Sequence, residues 1–148
     1  LVVLGSGDWE YESFFKELAA AFPGKVGVRL GFIPDMARKI YAGSDMFLMP
    51  SKSEPCGLSQ MVALRYGSIP IVRETGGLKD TITDSGDGQG NGFTFKSYDA
   101  YDMLDAIHRA LAAYYDKKHW STLVTRALKC DNSWGRSARE YIKLYQSL

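Results

Sequence analysis

The sequence lacks several features that would assign it to a common functional class. It has only two cysteines, Cys56 and Cys130, which lie far apart and without the short Cys/His spacings of a zinc site. Its 18 Lys and Arg residues nearly balance 17 Asp and Glu residues, so no cationic surplus is present to bind nucleic acid. No apolar run is long enough to span a bilayer. We therefore expect a soluble protein of a reducing compartment, with no metal, nucleic-acid or membrane partner.

The composition that is present favours a folded domain taken from a longer protein. Hydrophobic residues make up 45% of the chain and aromatic residues 13%, which is enough apolar surface to offset the entropy lost on folding. A length of 148 residues fits one domain. The chain opens at Leu1 directly in an apolar run, without a methionine or a leader, which suggests a piece cut from a longer chain.

Short apolar runs alternate with segments of helical period. The predicted strands cover residues 1–5, 26–32, 46–49, 69–73 and 92–95. The predicted helices run from an N-cap at Asp8 to Pro23, over 34–43, 58–66, 78–83 and 98–115, and two more complete the chain. Four glycines in residues 84–92 predict a mobile surface loop. Apolar strands separated by helices predict a doubly wound α/β fold, a Rossmann-like parallel sheet with helices on both faces.

Ligands of such sheets bind beyond the carboxyl ends of the strands, so the loops there are candidates for chemistry. Glu54 lies in the loop after the third strand, directly before a helix whose first N–H groups lack intrahelical partners. A sugar or a phosphate could receive a carboxylate acceptor and backbone donors at this place. The alternative is that Glu54 only caps the helix or places negative charge at its start.

The loop after the fourth strand repeats this arrangement. Thr75 offers a hydroxyl, and Gly76 and Gly77 would let the backbone approach a ligand closely or take a positive φ. An ordinary tight turn explains these residues equally well. The glycines at residues 5–7 do not form a dinucleotide fingerprint, because Glu10 stands where the third glycine would be.

Other reactive side chains have weaker support. Cys56 as a nucleophile would need a base, and the only histidines, His108 and His119, lie in predicted helices far along the chain. A cluster of aromatic residues near the end is predicted to pack between the last helices; its members are Tyr114, Tyr115, Trp120 and Trp134.

Several runs of residues together resemble the second domain of bacterial glycogen synthases and plant starch synthases. The runs are residues 45–51 (DMFLMPS), 54–60 (EPCGLSQ), 64–73 (LRYGSIPIVR), 75–78 (TGGL), 131–134 (DNSW) and 137–141 (SAREY). They keep their order across nearly the whole chain, which makes the resemblance far more specific than any one motif. The glycine loop running into residues 90–93 looks more like the bacterial enzymes.

The resemblance implies that residues 1–148 form the C-terminal nucleotide-sugar-binding domain of a GT-B glycosyltransferase, truncated at its N-terminus. Such an enzyme transfers glucose from ADP-glucose to the non-reducing end of an α-1,4-glucan with retention. The implied partners are ADP-glucose, the glucan and the N-terminal GT-B domain of the same chain. The resemblance also implies a cytoplasmic bacterial protein that uses no cofactor and no metal.

By the same resemblance, Glu54 is the carboxylate required for activity beside the donor glucose. The implied donor-binding residues are Phe32, Cys56, Gly57, Leu58, Ser59, Thr75, Gly76 and Gly77. Backbone N–H groups of residues 56–58 would hold sugar hydroxyls, Ser59 would lie near the diphosphate, and residues 75–77 would line the pocket. Phe32 stands where the family often has a tyrosine under the adenine ring.

Two departures limit what the resemblance implies. Many retaining GT-B enzymes have a second glutamate where this chain has Val62, as expected for this branch of the family. The arginine and lysine that grip the donor phosphates in this family would precede residue 1, so the isolated piece is expected to be inactive. The alternative is a non-catalytic module that uses the same fold to bind a nucleotide or a glucan.

Overall fold

The computed structural model describes residues 1–148, which divide into two compact units, Leu1–Gly43 and Ser44–Leu148. The first unit contains β1 (Val2–Gly5), α1 (Trp9–Ala21), β2 (Gly27–Leu30) and α2 (Pro34–Gly43). β1 and β2 pair in parallel, with Val2 opposite Gly27. Asp8 is the N-cap residue of α1, as predicted, although its side chain makes no capping hydrogen bond. No residue of this unit is fully buried.

The second unit contains the remaining three strands and five helices. They are β3 (Met46–Met49), α3 (Ser59–Tyr66), β4 (Ile69–Arg73), α4 (Gly77–Thr81), β5 (Phe93–Phe95), α5 (Ala100–Tyr115), α6 (Lys117–Lys129) and α7 (Trp134–Gln146). The α3 helix ends at Gly67, whose φ of 75° is the left-handed conformation expected after a helix. The α5 helix begins at Asp99, whose carboxylate accepts hydrogen bonds from two N–H groups of the first turn.

All strand pairs are parallel, so the predicted α/β fold class is confirmed. The strands form two hydrogen-bonded sets, β1-β2 and β3-β4-β5. Within the second set β4 is central, because it pairs with β3 on one side and β5 on the other. This explains why the first four residues of β4 are apolar and buried, since a central strand covered on both faces has no solvent side.

The hydrophobic core lies entirely in the second unit. Its buried members are Leu64, Ile69, Ile71, Val72, Leu78, Ile82, Phe93, Phe95, Ala106, Ala110, Trp120, Leu123 and Ala127. They come from β4, β5 and the helices that pack on them, so this core fixes the positions of the loops at the ends of β3 and β4. None of the seven helices combines the length and the apolar character needed to cross a membrane.

Two predictions about the second unit are correct only in part. Residues 84–92 are not simply a mobile surface loop, because Ser85 is only 2% exposed and the Arg126 guanidinium donates to the Gly88 carbonyl. The predicted aromatic cluster holds for Tyr114 and Trp120, whose rings pack edge to face at 5.2 Å. Tyr115 meets the Tyr114 ring edge to face at 5.8 Å but is 77% exposed, and Trp134, which begins α7, is 89% exposed and lies outside the cluster.

Candidate active site

Two loops of the second unit meet at the carboxyl end of its sheet. β3 and β4 are adjacent and parallel, with Met49 opposite Val72, so both strands end on the same side. The first loop, residues 50–58, leads from β3 into α3. The second loop, residues 74–76, leads from β4 into α4. In an open parallel sheet this is the place where ligands bind.

The two loops touch backbone to backbone at Gly76 and Gly77. A Cβ atom on Gly76 would overlap the Glu54 carbonyl oxygen, and one on Gly77 would overlap the Cys56 carbonyl oxygen. The Gly77 N–H also donates to the Pro55 carbonyl at 3.3 Å. Gly76 has a φ of 44°, which residues with a side chain rarely adopt. The contact between the loops therefore explains why both positions are glycine, whether or not a ligand binds there.

Several polar groups of the first loop have no partner within the chain. The Glu54 carboxylate is half-buried and makes no hydrogen bond or ion pair within the chain. The backbone N–H groups of Cys56, Gly57 and Leu58 find no acceptor in the chain either. Ser59 is the first residue of α3 and is half-buried. The loop can thus offer one anionic acceptor and several N–H donors to a polar ligand.

Thr75 and Phe32 complete the predicted donor-binding residues. Thr75 lies in a tight turn, in which its N–H donates to the Arg73 carbonyl at 2.9 Å and its carbonyl accepts from the Leu78 N–H at 3.1 Å. Phe32 belongs to the first unit, where it follows β2, and it is 91% exposed. Such an exposed aromatic ring presents a face on which a flat group can stack.

Arg73 braces the first loop, a role that the sequence does not predict. Its Nη1 atom donates to the carbonyl oxygens of Ser51 at 3.2 Å and Lys52 at 2.8 Å. The Arg73 guanidinium carbon lies 5.7 Å from the centre of the Tyr98 ring, within the range of a cation–π contact. The last residue of β4 thus holds the loop that carries Glu54.

A polar network lies behind the second loop. The Thr94 hydroxyl donates to Glu74 Oε1 at 2.8 Å, and the Thr94 N–H donates to Asp84 Oδ2 at 2.7 Å. Arg109 Nη1 lies 2.8 Å from the same Asp84 oxygen. Burial would raise the pKa of Asp84, but hydrogen bonds from the Arg109 side chain and the Thr94 and Gly86 N–H groups outweigh it. The pKa of Asp84 therefore lies below its ordinary value of 3.8.

An open cleft of about 790 Å³ adjoins the first loop. Its walls include Cys56 and Leu58 beside the start of α3, Thr81 at the end of α4, and Trp134 and Tyr141 on α7. The two aromatic side chains are 89% and 61% exposed. Two of the predicted donor-binding residues therefore border a space large enough for a small-molecule ligand.

Comparisons with known proteins show which family has this sequence and this fold. Residues 1–125 match the model of the family described as glycosyl transferases group 1. The chain is 57% identical to the glycogen synthase of Geobacillus thermodenitrificans, over 100% of this chain and 31% of that protein. It is 56% identical to the glycogen synthase of Geobacillus stearothermophilus over the same shares. The chain thus spans about a third of the length of these curated relatives.

A solved structure shows the same fold. The catalytic domain of starch synthase IV from Arabidopsis thaliana, bound to ADP and acarbose, superposes with a TM-score of 0.87 at 39% identity. The match covers 99% of this chain and 31% of the plant chain. The resemblance to glycogen and starch synthases is thereby confirmed in both sequence and structure. Because the family model matches most of its residues, the chain belongs to the glycosyl transferases group 1 family.

Proposed function

We propose that this chain is the C-terminal, donor-binding part of an ADP-glucose-dependent glycogen synthase of the bacterial cytoplasm. The observation that carries the proposal is the first loop, where the unpaired Glu54 carboxylate stands near the unpaired N–H groups of residues 56–58. This loop occurs on a chain 57% identical to a glycogen synthase. The proposed reaction transfers glucose from ADP-glucose to the non-reducing end of an α-1,4-glucan with retention.

The first loop would act on the sugar half of the donor. Transfer of a glucosyl group develops positive charge at the anomeric carbon, and a carboxylate nearby stabilises that charge. Glu54 supplies such a carboxylate without an internal cation to neutralise it. The N–H groups of Cys56, Gly57 and Leu58 would donate to sugar hydroxyls and fix the orientation of the ring.

Other groups would act on the nucleotide half. The exposed Phe32 ring would stack on adenine, and a phenyl ring keeps that stacking face without a tyrosine hydroxyl. Ser59 and the start of α3 would lie near the diphosphate, with residues 75–77 lining the same pocket. We propose that the remaining part of the enzyme supplies the cations for the departing ADP, and that its N-terminal domain brings the glucan.

The Glu54→Gln substitution tests this function in the full-length protein. We expect transfer of radiolabelled glucose from ADP-glucose to glycogen to fall by about 10²–10⁴-fold, the range typical of a lost catalytic group. Binding of ADP, measured by calorimetry, should stay unchanged because ADP lacks the glucose on which Glu54 is proposed to act. The amide keeps the size of the side chain, removes its charge and replaces one acceptor oxygen by an NH₂ donor.

The matched control is Glu10→Gln, which makes the same change on an exposed residue of α1 and should leave transfer intact. Retained transfer in Glu54→Gln would refute the role given to this carboxylate. If the unaltered full-length protein binds ADP or glucan but transfers no glucose, the chain is a binding module and the proposed function is wrong.

A further inference from the structure

Gln60 is the fully buried polar side chain of the first turn of α3, with 0% exposure. Its amide nitrogen Nε2 lies 2.8 Å from the Gly57 carbonyl oxygen and 3.2 Å from that of Cys56. It also lies 3.1 Å from Thr81 Oγ1. Three acceptors therefore share the two amide hydrogens of one buried side chain. Two of these acceptors belong to the backbone of the first loop.

These two bonds fix the direction in which the loop presents its N–H groups. In a trans peptide the C=O of one residue and the N–H of the next point in opposite directions, and the chain has no cis peptide. The Cys56 carbonyl points to Gln60, so the Gly57 N–H points away from it. The Gly57 carbonyl also points to Gln60, so the Leu58 N–H points away as well. Neither N–H finds an acceptor within the chain.

The same side chain connects the first loop to α4. The Thr81 hydroxyl donates to the Gly77 carbonyl at 2.6 Å, so its oxygen accepts from Gln60. The Gly77 N–H donates in turn to Pro55 in the first loop. Gln60 thus belongs to a closed set of hydrogen bonds that leaves the loop little freedom to rotate its peptide planes.

The loop uses only one end of the Gln60 amide. Nε2 donates to the loop carbonyls, whereas Oε1 is buried and has no hydrogen-bond partner. Gly57 has a φ of 72°, and a Cβ atom there would lie 2.5 Å from Oε1, so the loop is built closely around this amide. What the amide provides is its pair of donors toward the loop carbonyls.

We propose that Gln60 is a positioning residue that directs the Gly57 and Leu58 N–H groups at the hydroxyls of the donor sugar. The proposal rests on the function proposed above. Its specific consequence is that Gln60 contributes to recognition of the sugar and not of the nucleotide. N–H groups that already point at the sugar need no reorganisation during the reaction. A change in their direction should therefore slow the transfer.

The test uses two substitutions in the full-length protein. Gln60→Glu keeps the shape and replaces the amide donors by an oxygen facing two carbonyl oxygens. Gln60→Met keeps the length and removes all hydrogen bonds. For both we expect kcat/KM for ADP-glucose to fall by about 10²–10³-fold, the range found when one preorganised hydrogen-bond donor is lost from an active site. The Kd for ADP should not change. Gln89→Glu, the same change on an exposed side chain, is the control and should behave as the unaltered protein.

The outcomes separate this inference from the proposed function. An unaltered protein that transfers no glucose refutes the proposed function itself. If it is active and kcat/KM is unchanged in folded Gln60 variants, or the Kd for ADP rises in parallel, Gln60 does not position sugar-binding donors. A measurement without substitution covers variants that fail to fold: in ¹⁵N-labelled protein the Gly57 and Leu58 amide resonances should shift with ADP-glucose more than with ADP. Equal shifts would refute the inference.

Discussion

At the scale of single residues, Gly76 determines how closely the two loops of the candidate site approach. Its missing side chain leaves room for the Glu54 carbonyl, and its positive φ turns the second loop toward the first. Gly88 also has a positive φ, 77°, but has nothing within 4 Å of the position of a Cβ atom. A substitution at Gly76 therefore adds backbone strain and a collision with the Glu54 carbonyl, whereas the same substitution at Gly88 adds strain alone.

We expect Gly76→Ala to destabilise the protein by at least the cost of backbone strain, about 1–3 kcal/mol, and also to displace Glu54. The glucosyl transfer proposed for the full-length protein should then fall by far more than the loss of folded protein explains. Gly88→Ala adds the strain without the collision, so it should lose stability and keep transfer. Urea unfolding and the radiolabel assay on both full-length variants measure these effects. Equal transfer rates in both would show that the contact with Glu54 has no consequence for the site.

Single residues differ in how far the sequence predicts them. Glu54 and the glycines after β4 are found because they lie in short runs at the ends of apolar strands. The roles of Gln60 and Arg73 are not found, because each acts on carbonyl groups that the folded loop brings to it. The Arg73 partners are 21 and 22 residues away, and backbone carbonyls leave no mark in a sequence.

At the scale of elements, local pattern predicts most boundaries. The observed strands all begin within two residues of the predicted ones, since apolar runs and glycine or proline breaks are local signals. The segment 84–92 is the exception. Its glycines and aspartates indicate a mobile loop, but the Arg109 and Arg126 side chains of two later helices hold it in place. Long-range ion pairs and hydrogen bonds of this kind override the local preference.

The Asp84 carboxylate makes this segment sensitive to acid. The pKa of Asp84 is lower in the folded chain than in the unfolded chain, so its charged form stabilises the fold fully at pH values above the ordinary pKa of 3.8. This stabilisation is lost as the pH falls from 3.8 toward the lower pKa of the folded state. We expect Asp84→Asn to lower the free energy of unfolding at neutral pH, with the difference shrinking at acid pH.

Denaturant unfolding from about pH 7 to pH 3 measures this difference, and the window follows from the linkage of protonation to folding. Asp87→Asn is the matched control, since Asp87 is exposed in the same segment and makes no ion pair. A difference between Asp84→Asn and the unaltered chain that is constant over this range would show that Asp84 does not titrate with folding.

At the scale of the whole molecule, burial is distributed unevenly. Every fully buried residue lies in the unit Ser44–Leu148, and the unit Leu1–Gly43 has none. Apolar burial is the main favourable contribution to folding, so the two units should differ in local stability. The sequence alone does not reveal this, because the apolar run of β1 resembles those of the buried strands.

Hydrogen exchange of the 148-residue chain should reveal this difference. We expect amides of β4, which is paired on both sides and covered by core residues, to exchange at least about tenfold more slowly than amides of β2. Mass spectrometry of peptic peptides that cover the two strands makes the comparison within one sample. Equal protection of both strands would mean that the chain opens as a single cooperative unit.

The contact between the two loops also has a consequence for attempts to change the specificity for the proposed donor. Loop grafting usually transplants one segment at a time between related enzymes. Here the carbonyls of residues 54 and 56 lie directly against Gly76 and Gly77, with no side chain between them to absorb a change in loop length or shape. A chimaera should therefore exchange both loops together, because either loop alone would not fit against the other.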